Sequence, residues 1–125
     1  MDVAIEIERL DCALSVCKVA DYSLVDVEDA FCFTGRTDEE CSLICRTESV
    51  PANVIAREDG WRAFRVKGVL DFSLIGILAP IATLLADNGI SLSAVSTFNT
   101  DYVLVKRERF ERALALLGEA GYVVS

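Results

Sequence analysis

The chain has 125 residues, 53 % of them hydrophobic and 26 % charged. That is enough apolar material for the core of one domain or of two very small ones, and too much for a disordered chain. Twenty acids against twelve bases give a net charge of −8, which disfavours phosphate backbones and argues against nucleic-acid binding as the main role. The absence of histidine removes Ser-His and Cys-His catalysis and the commonest zinc ligand.

Residues 1–11 are acidic and read as a lead-in strand or extension, without the basic and apolar regions of a signal peptide. A cytoplasmic protein is therefore expected. Cys12–Val19 is apolar and strand-like; Tyr22–Asp29 is a turn or one short helix. Ala30–Thr34 and Cys41–Arg46 read as a strand pair joined through Gly35–Glu40. Glu48–Pro51 is a short turn, Asn53–Arg57 a strand, and Glu58-Asp59-Gly60 carries a turn signal. Trp61–Lys67 alternates like a strand. From Leu74 to Asn88, apolar residues recur at spacings of three and four, which predicts a helix. Pro80 fits that helix only in its first turn, where a missing N–H and a clash four residues back do no harm, so the helix should begin near Gly76 or Ile77. Asn88-Gly89 ends it. Ile90–Phe98 and Tyr102–Lys106 form a strand pair about Asn99-Thr100-Asp101, Glu108–Ala120 is a second helix closed by Gly121, and Tyr122–Val124 is a last strand.

The order over 61–125 is βαββαβ, an α+β ferredoxin-like pattern with two helices on one face of a four-stranded antiparallel sheet. A faint repeat accompanies it. Cys41–Glu48 matches Asp101–Glu108 in pattern, and Ala13–Lys18 loosely matches Ala63–Lys67. Two domains are expected: a trimmed unit with short helices over 1–60, and a full one over 61–125. The uncharged run Phe72–Ala86, flanked by Asp71 and Asp87, is fifteen residues long. That falls short of the ~20 a membrane-spanning helix needs, so no membrane association is expected.

The five cysteines, Cys12, Cys17, Cys32, Cys41 and Cys45, contain no C-x-x-C. They read as small buried apolar residues in a reducing compartment, with a thiol-based metal or redox sensor as the alternative reading of the cysteines alone, and no metal site and no cofactor are expected. No nucleophile is paired with a visible base and no glycine-rich phosphate loop occurs, so the chain is not expected to be an enzyme and no catalytic residue is assigned. A binding function reads better. Between Gly68 and Val105 the only charges are Asp71, Asp87 and Asp101. A helix opening near Gly76 offers free backbone N–H groups to a carboxylate, and Asp101 could meet a cationic group of the same ligand. An α-amino acid carries both charges. Each piece also has a plainer use: Asp71 or Ser73 as a helix cap, Asn99-Thr100-Asp101 as a turn, Gly76 as relief for Pro80.

Three stretches carry a family resemblance: Leu70–Ala79, then Leu84–Ser91 with its Gly-Ile-Ser, then Ser96–Val105 with its Ser-Thr-Phe-Asn-Thr-Asp. Trp61–Val124 resembles an ACT domain, the small regulatory βαββαβ module that binds amino acids. More narrowly it is similar to bacterial tandem-ACT relatives of the CASTOR arginine sensors. The resemblance implies a ligand held between ACT units. One wall would be Phe72, Ser73, Leu74, Ile75 and Gly76, and the other Ser96, Thr97, Phe98, Asn99, Thr100 and Asp101. It implies an acidic residue two positions before the glycine in arginine binders; here that position is Leu74. It also implies a homodimer. The expected function is a non-enzymatic regulator that binds a small amino acid or related metabolite. The alternative is an ACT-like assembly module that dimerises without a ligand.

Overall fold

The computed structural model describes residues 5–67 and 76–125. Two compact units make up the chain: Cys12–Trp61, and Met1–Asp11 together with Arg62–Ser125. The sequence-based boundary kept residues 1–11 with the first unit, whereas the contacts group them with the second.

In the Cys12–Trp61 unit, β2 (Leu14–Val19), β3 (Cys32–Arg36) and β4 (Cys41–Arg46) are joined by the first residues of a long strand, β5 (Val54–Val66). The spatial order is β3-β4-β2-β5, with every neighbouring pair antiparallel. This is the strand order of a ferredoxin-like sheet without its helices. The crossover after β2 is a run of turns over residues 20–31, and the crossover after β4 holds a single 3-10 turn, Thr47–Ser49. Cys17, Val19, Leu43 and Cys45 form the small core. Asp29 holds the first crossover down. Its carboxylate accepts from Arg46 Nε at 3.0 Å and Nη2 at 2.8 Å, from Ser49 Oγ at 2.9 Å and from the Phe31 N–H at 3.2 Å.

Glu58-Asp59-Gly60 is not a turn. β5 runs straight through it, and between the partners Leu14↔Trp61 and Val16↔Glu58 it carries one more residue than β2. The extra residue makes a β-bulge, and Gly60, at φ +84°, supplies the left-handed backbone such a bulge needs. Asp59 Oδ1 accepts from Ser15 Oγ at 2.5 Å and from Arg57 Nε at 3.0 Å.

In the other unit, the end of β5 is followed by α1 (Leu78–Asp87), β6 (Leu92–Ser96), β7 (Asp101–Lys106), α2 (Arg107–Glu119) and β8 (Val123–Val124), the expected βαββαβ order. The sheet is larger than the expected four antiparallel strands. β1 (Glu6–Arg9) is inserted between β5 and β8, antiparallel to the former and parallel to the latter. One side chain explains the insertion: Ile7 is fully buried with Phe64, Val66, Val103, Val105 and the helices. α1 begins at Leu78, so Pro80 lies in the first turn, where its missing N–H has no intrahelical acceptor to lose. At the other end the Ile90 N–H donates to Leu85 O and the Gly89 N–H to Ala86 O, with Gly89 at φ +73°. α2 ends the same way, its Tyr122 N–H donating to Leu117 O. Among the described residues no helix is long and apolar enough to cross a membrane.

Candidate functional site

The turn between β6 and β7 is built from short polar side chains. Ser96 and Asp101 face each other across the two strands, and Ser96 Oγ donates to Asp101 Oδ1 at 2.6 Å. The Thr97 N–H donates to Thr100 O at 2.9 Å, and Thr97 Oγ1 donates to the same carbonyl at 3.0 Å. Thr100 is buried, and its hydroxyl donates to Val66 O at 2.7 Å, which ties the turn to β5. The tip keeps Phe98 and Asn99 outward, with Phe98 77 % exposed.

Beside this turn lies a hollow of about 380 Å³, lined by Glu8, Arg65, Val66, Lys67, Asn99, Thr100 and Tyr102. Its charges are fixed by strand register. β1 sets Glu8 opposite Arg65, and Arg65 Nε donates to Glu8 Oε1 at 2.8 Å. Arg65 Nη1 reaches the Tyr102 hydroxyl at 3.2 Å, and its guanidinium lies 5.8 Å from the Tyr102 ring centre. The Tyr102 and Glu8 contacts raise the Arg65 pKa further, so this cation is permanent. Lys67 is half-exposed, with Nζ 3.5 Å from Glu6 Oε2. The hollow thus offers two cations, a carboxylate, an amide and two hydroxyls.

Of the wall expected ahead of the first helix, Phe72, Ser73, Leu74 and Ile75 lie outside the described residues. Gly76, at φ +77°, lines a different, more apolar hollow of about 670 Å³ with Ala79, Pro80, Thr83, Leu84, Asp87, Ala120 and Tyr122. Among the described residues no side chain caps the start of α1, and the cap candidates Asp71 and Ser73 lie outside them. Asn99 and Thr100 line the charged hollow, Ser96 and Asp101 brace the base of the turn, and Thr97 closes it. The sequence did not single out Arg65, Lys67, Glu8 and Tyr102 as lining one hollow. The available signal was the alternation in Trp61–Lys67, which puts Arg65 and Lys67 on one strand face. Among the described residues no group of three or more Cys, Asp or Glu is placed to hold a metal ion. None of the five cysteines is joined in a disulfide.

The ACT domain family model matches residues 56–119, just over half of the chain. The chain belongs to the ACT domain family, whose fold accounts for the βαββαβ order and whose members are regulatory modules. A sequence search of curated proteins finds no match. Among solved structures, an Agrobacterium tumefaciens protein is 28 % identical, with a TM-score of 0.86 over 99 % of this chain and 94 % of its own. A Vibrio cholerae protein of unknown function, described as a possible transport protein, is 24 % identical, with a TM-score of 0.70 over 93 % of this chain and 89 % of its own. The ligand-free regulatory subunit of aspartate kinase from Thermus thermophilus shares the fold at 12 % identity, with a TM-score of 0.63 over 94 % of this chain and 99 % of its own.

Proposed function

We propose that this ACT protein is a non-enzymatic regulator that binds a small amino acid beside the β6–β7 turn and works as a homodimer. The observation that carries the reading is the charged hollow: Arg65 and Lys67 against Glu8, with Asn99, Thr100 and Tyr102 completing a space of about 380 Å³. An α-amino acid presents one carboxylate and one ammonium, and a hollow of this size suits a ligand of that class. The carboxylate is directed to Lys67 and the Asn99 amide. The ammonium is directed to Glu8, the carboxylate that lines the hollow. The backbone N–H groups in the first turn of α1 are a second place where an anionic group gains from the helix end. The family and the fold shared with an aspartate kinase regulatory subunit support a regulatory role.

The test is a thermal-shift screen of the purified chain against the twenty amino acids. One amino acid is expected to raise the melting temperature, and Glu8→Gln and Lys67→Ala are each expected to remove most of the shift without unfolding the protein. No shift with any amino acid, in a chain that is a stable dimer, overturns the reading in favour of a pairing module. The charge-poor outer face of α1, with Ala79, Pro80 and Thr83 exposed, would then be the surface to probe.

A further inference from the structure

The small core of the Cys12–Trp61 unit gathers four thiols, Cys17, Cys32, Cys41 and Cys45, on one face of its sheet. Register places them. Cys32 and Cys45 are directly opposite across β3 and β4, and β4 also pairs Leu43 with Cys17 on β2. The phase of the ladder decides how close the opposite pair comes. The Thr37 N–H donates to Glu40 O, so 37 and 40 are a hydrogen-bonded pair. Alternation down the hairpin then makes Cys32 and Cys45 a non-hydrogen-bonded pair. The other side of β4 agrees. The Thr47 N–H donates to Ala13 O, which makes Ser15 and Cys45 a hydrogen-bonded pair and turns the backbone polar groups of Cys45 toward β2, away from Cys32. Non-hydrogen-bonded antiparallel partners stand about 4.5 Å apart at Cα, with side chains on the same face. Disulfides span Cα separations of ~4.4–6.8 Å, so no backbone movement is needed to join this pair. Cys41 lies opposite Arg36 and Val19, not another cysteine.

We propose that Cys32 and Cys45 form a redox-active dithiol that closes to a cross-strand disulfide by exchange with a low-molecular-weight disulfide. Cys32 is partly exposed and Cys45 is buried, which sets the order of events. The Cys32 thiolate attacks one sulfur of the small disulfide, forming a mixed disulfide and releasing one small thiolate. The Cys45 thiolate then attacks Cys32 Sγ, forming the protein disulfide and releasing the second. The protons given up by the two protein thiols pass to the two small thiolates. The protein pair is oxidised by two electrons and the small disulfide is reduced. Cys17 packs in the same core as Cys45 and remains a thiol in the product.

The bridge would fasten β3 to β4, the strand that β3 pairs with at the edge of its sheet. Burial pushes the Cys45 thiol up to about 12, with Cys17, Cys32 and Asp29 adding to the effect. Burial with Asp29 and Asp26 raises Cys32, and burial also raises Cys17, on which Arg57 and Asp59 of β5 act in opposite senses. Closure is therefore slow at neutral pH and faster as pH rises, because the thiolate is the attacking form.

The test uses the full folded chain with oxidised glutathione at pH 8, followed by alkylation of remaining thiols and non-reducing peptide mass spectrometry. The expected product has lost two of its five thiols and two hydrogen atoms in mass. It carries one linked peptide pair, Cys32 with Cys45, is reopened by dithiothreitol, and melts at a higher temperature than the reduced chain. Cys32→Ala is expected to keep the far-UV and near-UV circular dichroism of the parent and to lose that bridge. Retention of all five thiols, accumulation of glutathione adducts alone, or the same mixture of pairings from folded and urea-unfolded chain would each overturn the proposal.

Discussion

At the scale of single residues, Asp29 does the work of a missing helix. The first crossover of the Cys12–Trp61 unit has no regular structure, and the Asp29 carboxylate, itself only 3 % exposed, gathers Arg46, Ser49 and the Phe31 N–H around it. Those donors, Arg46 first, hold its pKa down to about 2. A carboxylate depressed on folding stabilises the native state fully above its unfolded pKa, near ~3.9, and loses that stabilisation as pH falls through its folded value. The wild type is therefore expected to lose part of its urea resistance between about pH 4 and pH 2. Asp29→Asn should lower the urea midpoint at pH 7 and flatten its dependence over that acid window. A midpoint at pH 7 equal to that of the wild type would show that the carboxylate is dispensable. Thr100 plays a comparable part in the second unit. Thr100→Val keeps the shape but removes the hydroxyl that Val66 O accepts from at 2.7 Å. A loss of about 1 kcal/mol in denaturant unfolding is expected, as for one hydrogen bond in a buried place.

At the scale of elements, the helices and hairpins were legible because their signals are local. The apolar spacing of α1 and α2, Pro80 confined to a first turn and the glycines after each helix could all be read within one segment. The bulge in β5 and the placement of β1 could not. A glycine with positive φ serves a turn and a bulge equally well, and only the partner strand β2 distinguishes them. β1 buries one residue completely, Ile7, and its partners Phe64–Val66 lie far along the chain. No local pattern in Glu6–Arg9 could name them. The same reasoning gives a test of the bulge. A Cβ on Gly60 would meet nothing within 4 Å, so any cost of Gly60→Ala is backbone strain at φ +84° and not a clash. That substitution should destabilise the chain by about 1–2 kcal/mol, and Gly60→Asn, better tolerated in left-handed backbone, by less. Equal losses for the two variants would locate the cost elsewhere.

At the scale of the whole molecule, the strand positions follow the sixty-residue offset of the sequence repeat. Cys32 and Leu92 begin second strands of a ferredoxin-like order, Cys41 and Asp101 begin third strands, and both pairs are sixty residues apart. The repeat in sequence was faint because helices carry much of the apolar periodicity and the first copy has almost none. The candidate site was half legible for a related reason. Ser96–Asp101 stands out as a polar cluster in a charge-poor stretch, whereas Arg65 and Lys67 on a strand look like any solvated face until Glu8 and Tyr102 are brought beside them. That mixed charge yields a prediction about ligand chemistry. A ligand at 100 times its Kd stabilises the native state by ~2.7 kcal/mol, a shift of several degrees for a domain of this size. The amino acid that shifts the melting temperature should lose most of that effect when either charge is removed, as in its amide or its deaminated acid. Lys67→Ala should weaken the parent amino acid while leaving the response to the amide unchanged, because the cation it removes serves the carboxylate. If the deaminated acid binds as well as the amino acid, Glu8 does not meet an ammonium, and the hollow is an anion site instead.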